Sequence, residues 1–382
     1  LLLQVANPAI ETDMDPKVFS SNVAKFAAKF CNELEKSKSS VSSPLSAEYV
    51  LALLSLGATE PAQTELLTTL GFPNKDAIRS SFTAVSSRLK SIQGVTLNVA
   101  NKVYVKEGPY KLEPQLEKDA VSVFDAAFEK VNFADSVAAA DLINKWVESK
   151  TNNKIQDLLS SDSLSEDTRL VLVNALYFKG TWSKKFDANL TRDLPFHVNA
   201  KKTANVPMMY REDRYRYGES DALNAQLLEL PYEGGQASMV IVLPKEVEGL
   251  NSVLQKLAGG HDLIEEISKL ISIKVQVTLP KFKIETEIDL LTVLPKLGIK
   301  AIFDRENSGL DNILNTKEPL FVSKAVQKAF IEVNEEGAEA AAATGKYYAN
   351  FLTIIGKLVT LFVLLICLGN LQNDVSNVPS YR

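Results

Sequence analysis

The stretch Ala329-Phe-Ile-Glu-Val-Asn-Glu-Glu-Gly337-Ala-Glu-Ala-Ala-Ala-Ala-Thr344 changes its structural preference part-way along. Its first half alternates like a β-strand, with Ala329, Ile331 and Val333 on one face. Its second half contains four consecutive alanines, and alanine favours helices and is depleted in strands. No helix cap or apolar stripe accompanies the alanines, so the sequence predicts neither a stable helix nor an ordinary strand there.

The composition is that of a globular protein with a sizeable core. The chain has 382 residues, of which 46% are hydrophobic and 23% are charged. The net charge of −5 is spread along the chain without a lysine- or arginine-rich block, which argues against a nucleic-acid partner. We find no internal repeat and no low-complexity linker, so we expect one domain.

Hydrophobic periodicity predicts helices early in the chain and strands later. Residues 16–35 form an amphipathic pattern, and Ser43-Pro44 begins a second helix that is apolar almost all round and therefore buried. The apolar run 169–178 predicts a strand buried on both faces, in which Asn174 must find polar partners. Further predictions are a strand at 97–105, a hairpin at 227–243, a strand at 273–284 interrupted at Pro280, and a helix at 286–299. This order predicts an α+β fold.

Residues that usually carry catalysis or bind metals are sparse. The two histidines, His197 and His261, lack a metal-ligand spacing, and no nucleophile elbow or phosphate-binding glycine loop occurs. Cys31 and Cys367 belong to no metal motif, and we interpret them as two buried thiols, with a disulfide left open. The sequence therefore predicts that the protein is not an enzyme and holds no metal or cofactor.

Four separated motifs occur in this order along the chain: Ser43-Pro-Leu-Ser46, Asn174-Ala-Leu-Tyr-Phe-Lys-Gly-Thr-Trp182, Leu279-Pro-Lys-Phe282 and Glu335-Glu-Gly-Ala-Glu-Ala-Ala-Ala-Ala-Thr344. Together they resemble the serpin family of serine protease inhibitors, and most closely insect haemolymph serpins. The resemblance runs from about residue 16 to Thr344. It implies three β-sheets, about nine helices and an exposed reactive-centre loop at about 335–357, within a single domain at 16–382.

The resemblance also implies a suicide-substrate mechanism. A serine protease attacks the loop and forms an acyl-enzyme, and the cleaved loop then inserts into the main sheet as a new strand. The protease is dragged along, its triad and oxyanion hole are distorted, and deacylation stalls. The implied partner is a serine protease in a covalent complex with a monomer, with no nucleic acid, membrane or cofactor involved.

The residues of the hinge suit insertion. The resemblance assigns to the hinge Glu335, Glu336, Gly337, Ala338, Glu339, Ala340, Ala341, Ala342, Ala343 and Thr344. Alternation places Ala338, Ala340, Ala342 and Thr344 on the inward face of an inserted strand, and Glu339, Ala341 and Ala343 on the outward face. Small inward side chains avoid overpacking, so a bulky or charged residue at Ala340 or Ala342 should turn the inhibitor into a substrate.

Other functional residues follow from the matching motifs. Glu335 and Lys281 correspond to the pair that ties the base of the loop to a neighbouring strand, and Trp182 to a residue packed where insertion begins. The polar cluster at which the central strands part corresponds to Ser43, Ser46, Asn174 and Gln327. Serpins usually carry a histidine where Gln327 stands, so we expect the cluster to lack a histidine's pH sensitivity.

The resemblance fixes the scissile bond by counting fourteen residues on from Gly337, which gives Phe351-Leu352. A phenylalanine before the bond suits a chymotrypsin-like protease. Cleavage after Tyr348 would suit the same class, and cleavage after Lys346 a trypsin-like one.

The two ends of the chain and one sequon leave alternatives open. The start, Leu1-Leu-Leu-Gln-Val-Ala-Asn-Pro-Ala9, is either the remnant of a secretory signal peptide or a flexible N-terminus spanning 1–15. Asn189-Leu-Thr191 is a candidate glycosylation site that fits a secreted, extracellular protein. The apolar tail after Leu352 departs from the serpin pattern. Three interpretations stay open: the tail folds as buried strands, it is a membrane-seeking segment, or it results from an aberrant splice or reading frame. A non-inhibitory carrier protein and a membrane-tethered variant are the alternative functions.

Overall fold

The computed structural model describes residues 14–315 and 318–338. Several sequence predictions fall outside these residues: the first residues of the chain, the hinge after Ala338, the scissile bond Phe351-Leu352, Cys367 and the apolar tail.

The described residues contain nine α-helices and eleven strands. The helices are α1 (Pro16–Asn32), α2 (Pro44–Gly57), α3 (Ala62–Leu70), α4 (Lys75–Ser91), α5 (Pro114–Ser122), α6 (Ser136–Lys150), α7 (Leu250–Ala258), α8 (Leu263–Ser268) and α9 (Leu290–Leu297). The strands are β1 (Val95–Lys106), β2 (Ala127–Val131), β3 (Leu170–Thr181), β4 (Arg192–Asn199), β5 (Lys202–Ser220), β6 (Ala225–Pro231), β7 (Ser238–Pro244), β8 (Ile271–Pro280), β9 (Phe282–Asp289), β10 (Val322–Val333) and β11 (Gly337–Ala338). The predicted α+β class is confirmed.

The strands form two hydrogen-bonded sets. The main sheet has the order β2-β1-β3-β11-β10-β9, and β3 also pairs directly with β10. The second set has the order β4-β5-β6-β7, with β8 paired to β5. The long strand β5 links two portions of this set, because its first residues pair with β4 and its last residues with β6.

The helix predicted at 286–299 begins too early in the chain. Residues 286–289 belong to β9, where Thr286 and Ile288 pair with Ala329 and Gln327 of β10. The helix α9 begins only after Asp289, whose side chain accepts a hydrogen bond from the backbone amide of Leu291. The apolar periodicity of a short helix merged in the sequence with the alternation of the strand before it.

Both faces of the main sheet are covered. Helix α6 packs on the face that carries Val173, Ala175 and Tyr177 of β3. On the opposite face, Leu172 packs among the helices around α2 and Leu176 packs against the second set of strands. Asn174 lies between these two apolar clusters, so the polar centre of β3 faces the start of α2.

Helix α2 is buried as predicted, but it also buries an acid. Glu48 is 1% exposed, and its Oε1 has no hydrogen-bond partner within residues 14–315 and 318–338. Burial raises the pKa of Glu48 well above its ordinary value. The side chain is therefore protonated and neutral in the folded protein at pH values where the unfolded chain ionises it.

Glu48→Gln is expected to stabilise the protein increasingly as the pH rises. Unfolding of the wild type releases a proton above the ordinary glutamate pKa of about 4.3, so its stability falls with rising pH, by about 1.4 kcal/mol per unit. The variant lacks this dependence, and denaturant unfolding at pH 5 and pH 7 measures the difference. The exposed acid in Glu117→Gln serves as the control, and parallel pH profiles for wild type and Glu48→Gln would contradict the expectation.

In the described part of the chain, no helix is long and apolar enough to cross a membrane. Within the same residues, no cluster of three or more histidine, cysteine or acidic side chains is arranged to hold a metal ion.

Candidate functional site

The main sheet is closed along most of its length and open at one end. Strands β3 and β10 pair in parallel from Leu170 and Val322 to Tyr177 and Phe330. Beyond Tyr177 and Phe330 the two strands part, and β11 lies between them. Gly337 and Ala338 of the hinge therefore already occupy the end of the gap between the two central strands.

The register of β11 is defined on both sides. Gly337 and Ala338 pair antiparallel with Thr181 and Gly180 of β3, and Ala338 pairs with Val333 of β10. Gly337 has a φ of +151°, and a Cβ built on it would lie 1.9 Å from the carbonyl oxygen of Gly180. Only glycine fits this close approach between two backbones.

A tight turn at 334–337 leads from β10 into β11. The backbone amide of Asn334 donates to the carbonyl of Gly337 at 2.8 Å. The Asn334 side-chain Oδ1 accepts from the amides of Glu336 and Gly337, at 3.0 and 3.2 Å. Asparagine and glycine are typical turn residues, and here they reverse the chain towards the sheet.

Glu335 binds two side chains at the base of the loop. Its Oε2 lies 2.9 Å from Nζ of Lys281, and its Oε1 accepts a hydrogen bond from Oγ1 of Thr191 at 2.8 Å. Burial acts to raise the pKa of Glu335, but the hydrogen bonds from Lys281 and Thr191 outweigh it and lower the pKa. The carboxylate is therefore ionised at neutral pH, as an ion pair with Lys281 requires.

Trp182 lies directly behind the turn. Its indole Nε1 donates to the carbonyl of Asn334 at 3.0 Å, and its ring stacks on Tyr232 with the centroids 4.7 Å apart. Its backbone amide also donates to the carbonyl of Glu336 at 2.9 Å. Trp182 thus contacts the turn at 334–337 through both its side chain and its backbone.

The four residues of the predicted polar cluster lie together under the centre of the main sheet. The Gln327 Nε2 donates to the carbonyl of Ser43 at 2.8 Å and to Oδ1 of Asn174 at 2.6 Å, and its Oε1 accepts from the amide of Ser43 at 2.9 Å. The Ser46 hydroxyl also donates to Oδ1 of Asn174, at 2.9 Å. All four residues are buried. Gln327 fills the position with one acceptor and two donor contacts, and it carries no titrating group.

Asn101 is a fifth member of the cluster that sequence reasoning missed. It lies opposite Asn174 in β1, is 3% exposed, and accepts a hydrogen bond from Nδ2 of Asn174. Its own Nδ2 has no partner within the described ranges 14–315 and 318–338. The only signal in the sequence was a polar residue within the alternating strand 97–105.

The structure places Asn189 apart from the polar cluster, in an exposed turn at Ala188–Leu190. Its backbone and side-chain nitrogens both donate to Asp187. Thr191 of the same sequon is the residue that binds Glu335, so this turn adjoins the base of the loop.

Comparison with known proteins matches this arrangement to one family. The model of the family described as serpin (serine protease inhibitor) matches residues 21–363. The chain belongs to the serpin family. Its members are protease inhibitors rather than enzymes, so the prediction that this protein is not an enzyme is confirmed, and inhibition of serine proteases is the function class that the family supports.

Similar serpins come from insects, as the motifs predicted. Antichymotrypsin-2 of Bombyx mori is 46% identical over 331 residues, covering 85% of this chain and 88% of the relative. Antitrypsin of Bombyx mori is also 46% identical over 331 residues, covering 85% of this chain and 84% of the relative. The crystal structure of Serpin48 from Tenebrio molitor is 38% identical with a TM-score of 0.79, covering 88% of this chain and 91% of that structure, which confirms the serpin fold.

Proposed function

We propose that this serpin is a secreted suicide inhibitor of a chymotrypsin-like serine protease. The protease acylates the loop at Phe351-Leu352, and the cleaved loop inserts between β3 and β10. The observation that carries this proposal is the position of β11, because Gly337 and Ala338 already pair with β3 and Ala338 also pairs with β10.

Extending the register of β11 predicts the neighbours of every inserted residue. Because Ala338 pairs with Gly180 and Val333, each later residue would pair one position earlier on both strands. Ala340 would lie between Phe178 and Ile331, and Ala342 between Leu176 and Ala329.

The flanking side chains at these positions are almost fully buried, at 4% exposure or less. Residues directly opposite each other in a sheet point to the same face, so both alanines would enter the apolar cluster between the two sets of strands. Alanine adds the least volume to such a core.

The same register brings Thr344 to the polar cluster. Counting on from Ala338, Thr344 would lie opposite Asn174 on β3 and opposite Gln327 on β10. Insertion must break the direct hydrogen bond between Gln327 and Asn174, which joins the two strands at 2.6 Å. A threonine hydroxyl can donate to Oδ1 of Asn174 and accept from Nε2 of Gln327, so it could replace that bond.

The loop is long enough to displace a bound protease. A strand from Ala338 to Phe351 at about 3.4 Å per residue spans roughly 48 Å.

The phenylalanine before the bond supports a chymotrypsin-like target, and one Bombyx mori relative is named an antichymotrypsin, although an equally similar one is named an antitrypsin. Residues 16–382 form one domain in this proposal, and the N-terminal apolar residues and the sequon at Asn189 support export and glycosylation.

Incubation with chymotrypsin and, in parallel, with trypsin tests the proposal. We expect a complex with chymotrypsin that survives denaturing electrophoresis, and a released C-terminal peptide whose mass begins at Leu352. A peptide that begins after Tyr348 or Lys346 would instead move the scissile bond. Complete cleavage of the loop without any denaturant-resistant complex would refute inhibition and favour a carrier role. Phe351→Pro is the control, because this substitution removes the predicted cleavage site.

A further inference from the structure

The base of the loop is held by a short segment that the serpin motifs do not single out beyond Trp182. We call residues 182–186 the anchor segment. Trp182 donates its backbone amide to the carbonyl of Glu336, and Phe186 donates its amide to the carbonyl of Glu335, each at 2.9 Å. Between them, Nζ of Lys185 forms an ion pair with Oε2 of Glu336.

The anchor segment is itself fixed to the second set of strands. The amide of Ser183 donates to the carbonyl of Pro231 at 2.9 Å. Nζ of Lys184 lies 2.6 Å from Oδ1 of Asp213, and the Arg211 guanidinium donates to the backbone carbonyl of Lys185. Lys185 therefore projects from a backbone that is held on both sides, and little backbone entropy is lost when its side chain pairs with Glu336.

The position of Glu336 gives this ion pair its significance. Glu336 is the third residue of the turn 334–337, and the next two residues form β11. Any contact that holds Glu336 also holds the turn in the geometry from which the inserting strand extends. Forming that turn is the first step of strand insertion, and here it is complete before cleavage.

We infer that Lys185 is a positioning residue for inhibition: its pairing with Glu336 keeps the hinge turned into the sheet, so that insertion of the cleaved loop starts without a nucleation step. The inference rests on the proposed function. Its consequence is kinetic, because the acyl-enzyme either hydrolyses or is trapped, and earlier insertion favours trapping. The attack of the protease on the scissile bond is not affected.

Lys185→Glu is expected to raise the number of inhibitor molecules consumed per protease trapped by about threefold. The free energy of an exposed ion pair changes an equilibrium or a rate by a factor of about this size. The new carboxylate faces Glu336 and repels it, so the turn opens more often. The rate of loop cleavage is expected to stay unchanged. The exchanged pair Lys185→Glu with Glu336→Lys restores the wild-type ratio, which a merely structural defect would not allow.

Two further variants complete the test. Lys118→Glu makes the same charge change on an exposed lysine of α5 and is expected to match the wild type. Lys185→Gln removes the charge without repulsion, and serves if Lys185→Glu does not fold. A wild-type protein that forms no complex refutes the proposed function. A wild-type protein that forms one, with an unchanged ratio for Lys185→Glu or no recovery in the exchanged pair, refutes only the role of Lys185.

Discussion

Ala342→Arg is expected to convert the inhibitor into a substrate. The register of β11 would place residue 342 between Leu176 and Ala329, which are 3% and 0% exposed. Burial of an unpaired guanidinium there costs several kcal/mol, and each 1.4 kcal/mol slows a step about tenfold. Insertion is thus expected to slow by about two orders of magnitude or more, while the acylation rate is kept. Denaturing electrophoresis of reactions quenched at successive times should show cleaved inhibitor and free protease in place of the complex, and the protease should remain active.

Glu339→Arg is the matched control, because it introduces the same side chain on the other face. Counting on from Ala338 places residue 339 between Lys179 and Glu332, which are partly exposed and already charged. This variant is expected to form complexes almost as the wild type does. Loss of the complex in Glu339→Arg with retention in Ala342→Arg would mean that the faces are reversed.

Asn174→Leu is expected to lower the free energy of unfolding by about 3 kcal/mol. Asn174 is 1% exposed and joins β1, β3, β10 and α2 through Asn101, Gln327 and Ser46. Its loss leaves Oδ1 of Asn101 buried and unpaired, whereas Ser46 and Gln327 keep a second contact to the carbonyl of Ser43. Urea unfolding at pH 7 measures the change.

Two companion variants separate the network from simple packing. Ser46→Ala removes one hydroxyl that donates to Asn174, and should cost about 1 kcal/mol. The double variant Asn101→Leu, Asn174→Leu removes both members of the amide pair, so it should be less destabilised than the sum of two separate losses. A double variant that is fully additive would show that the two amides are not coupled.

The sequence predicted the central elements because their patterns have few structural solutions. The length and β-branched content of the apolar run containing Asn174 favoured a strand buried on both faces, and Ser43-Pro44 favoured the start of a helix; the structure has both. The helix predicted at 286–299 was partly wrong because alternation and helical periodicity overlapped at Thr286–Asp289. Family membership came from the order of four motifs rather than from any one of them.

Other features of the site were beyond prediction because they arise from contacts between distant segments. Nothing in the sequence indicates that Thr191 binds Glu335, since 144 positions separate them. The burial of Glu48 contradicts its usual preference for solvent, and its environment is set by the helices packed around α2. Lys185 gains its role only because Arg211 and Asp213 fix the anchor segment beside the turn.

Calorimetry of the loop-cleaved protein is the most direct test of strand insertion. The loop is cut by a protease that is then removed, and the midpoint of thermal unfolding is compared between intact and cleaved protein, for the wild type and for Ala342→Arg. If the loop becomes a central strand of the main sheet, the cleaved wild type unfolds at a much higher temperature than the intact protein, and the cleaved variant gains far less. An unchanged midpoint for the cleaved wild type would contradict insertion between β3 and β10.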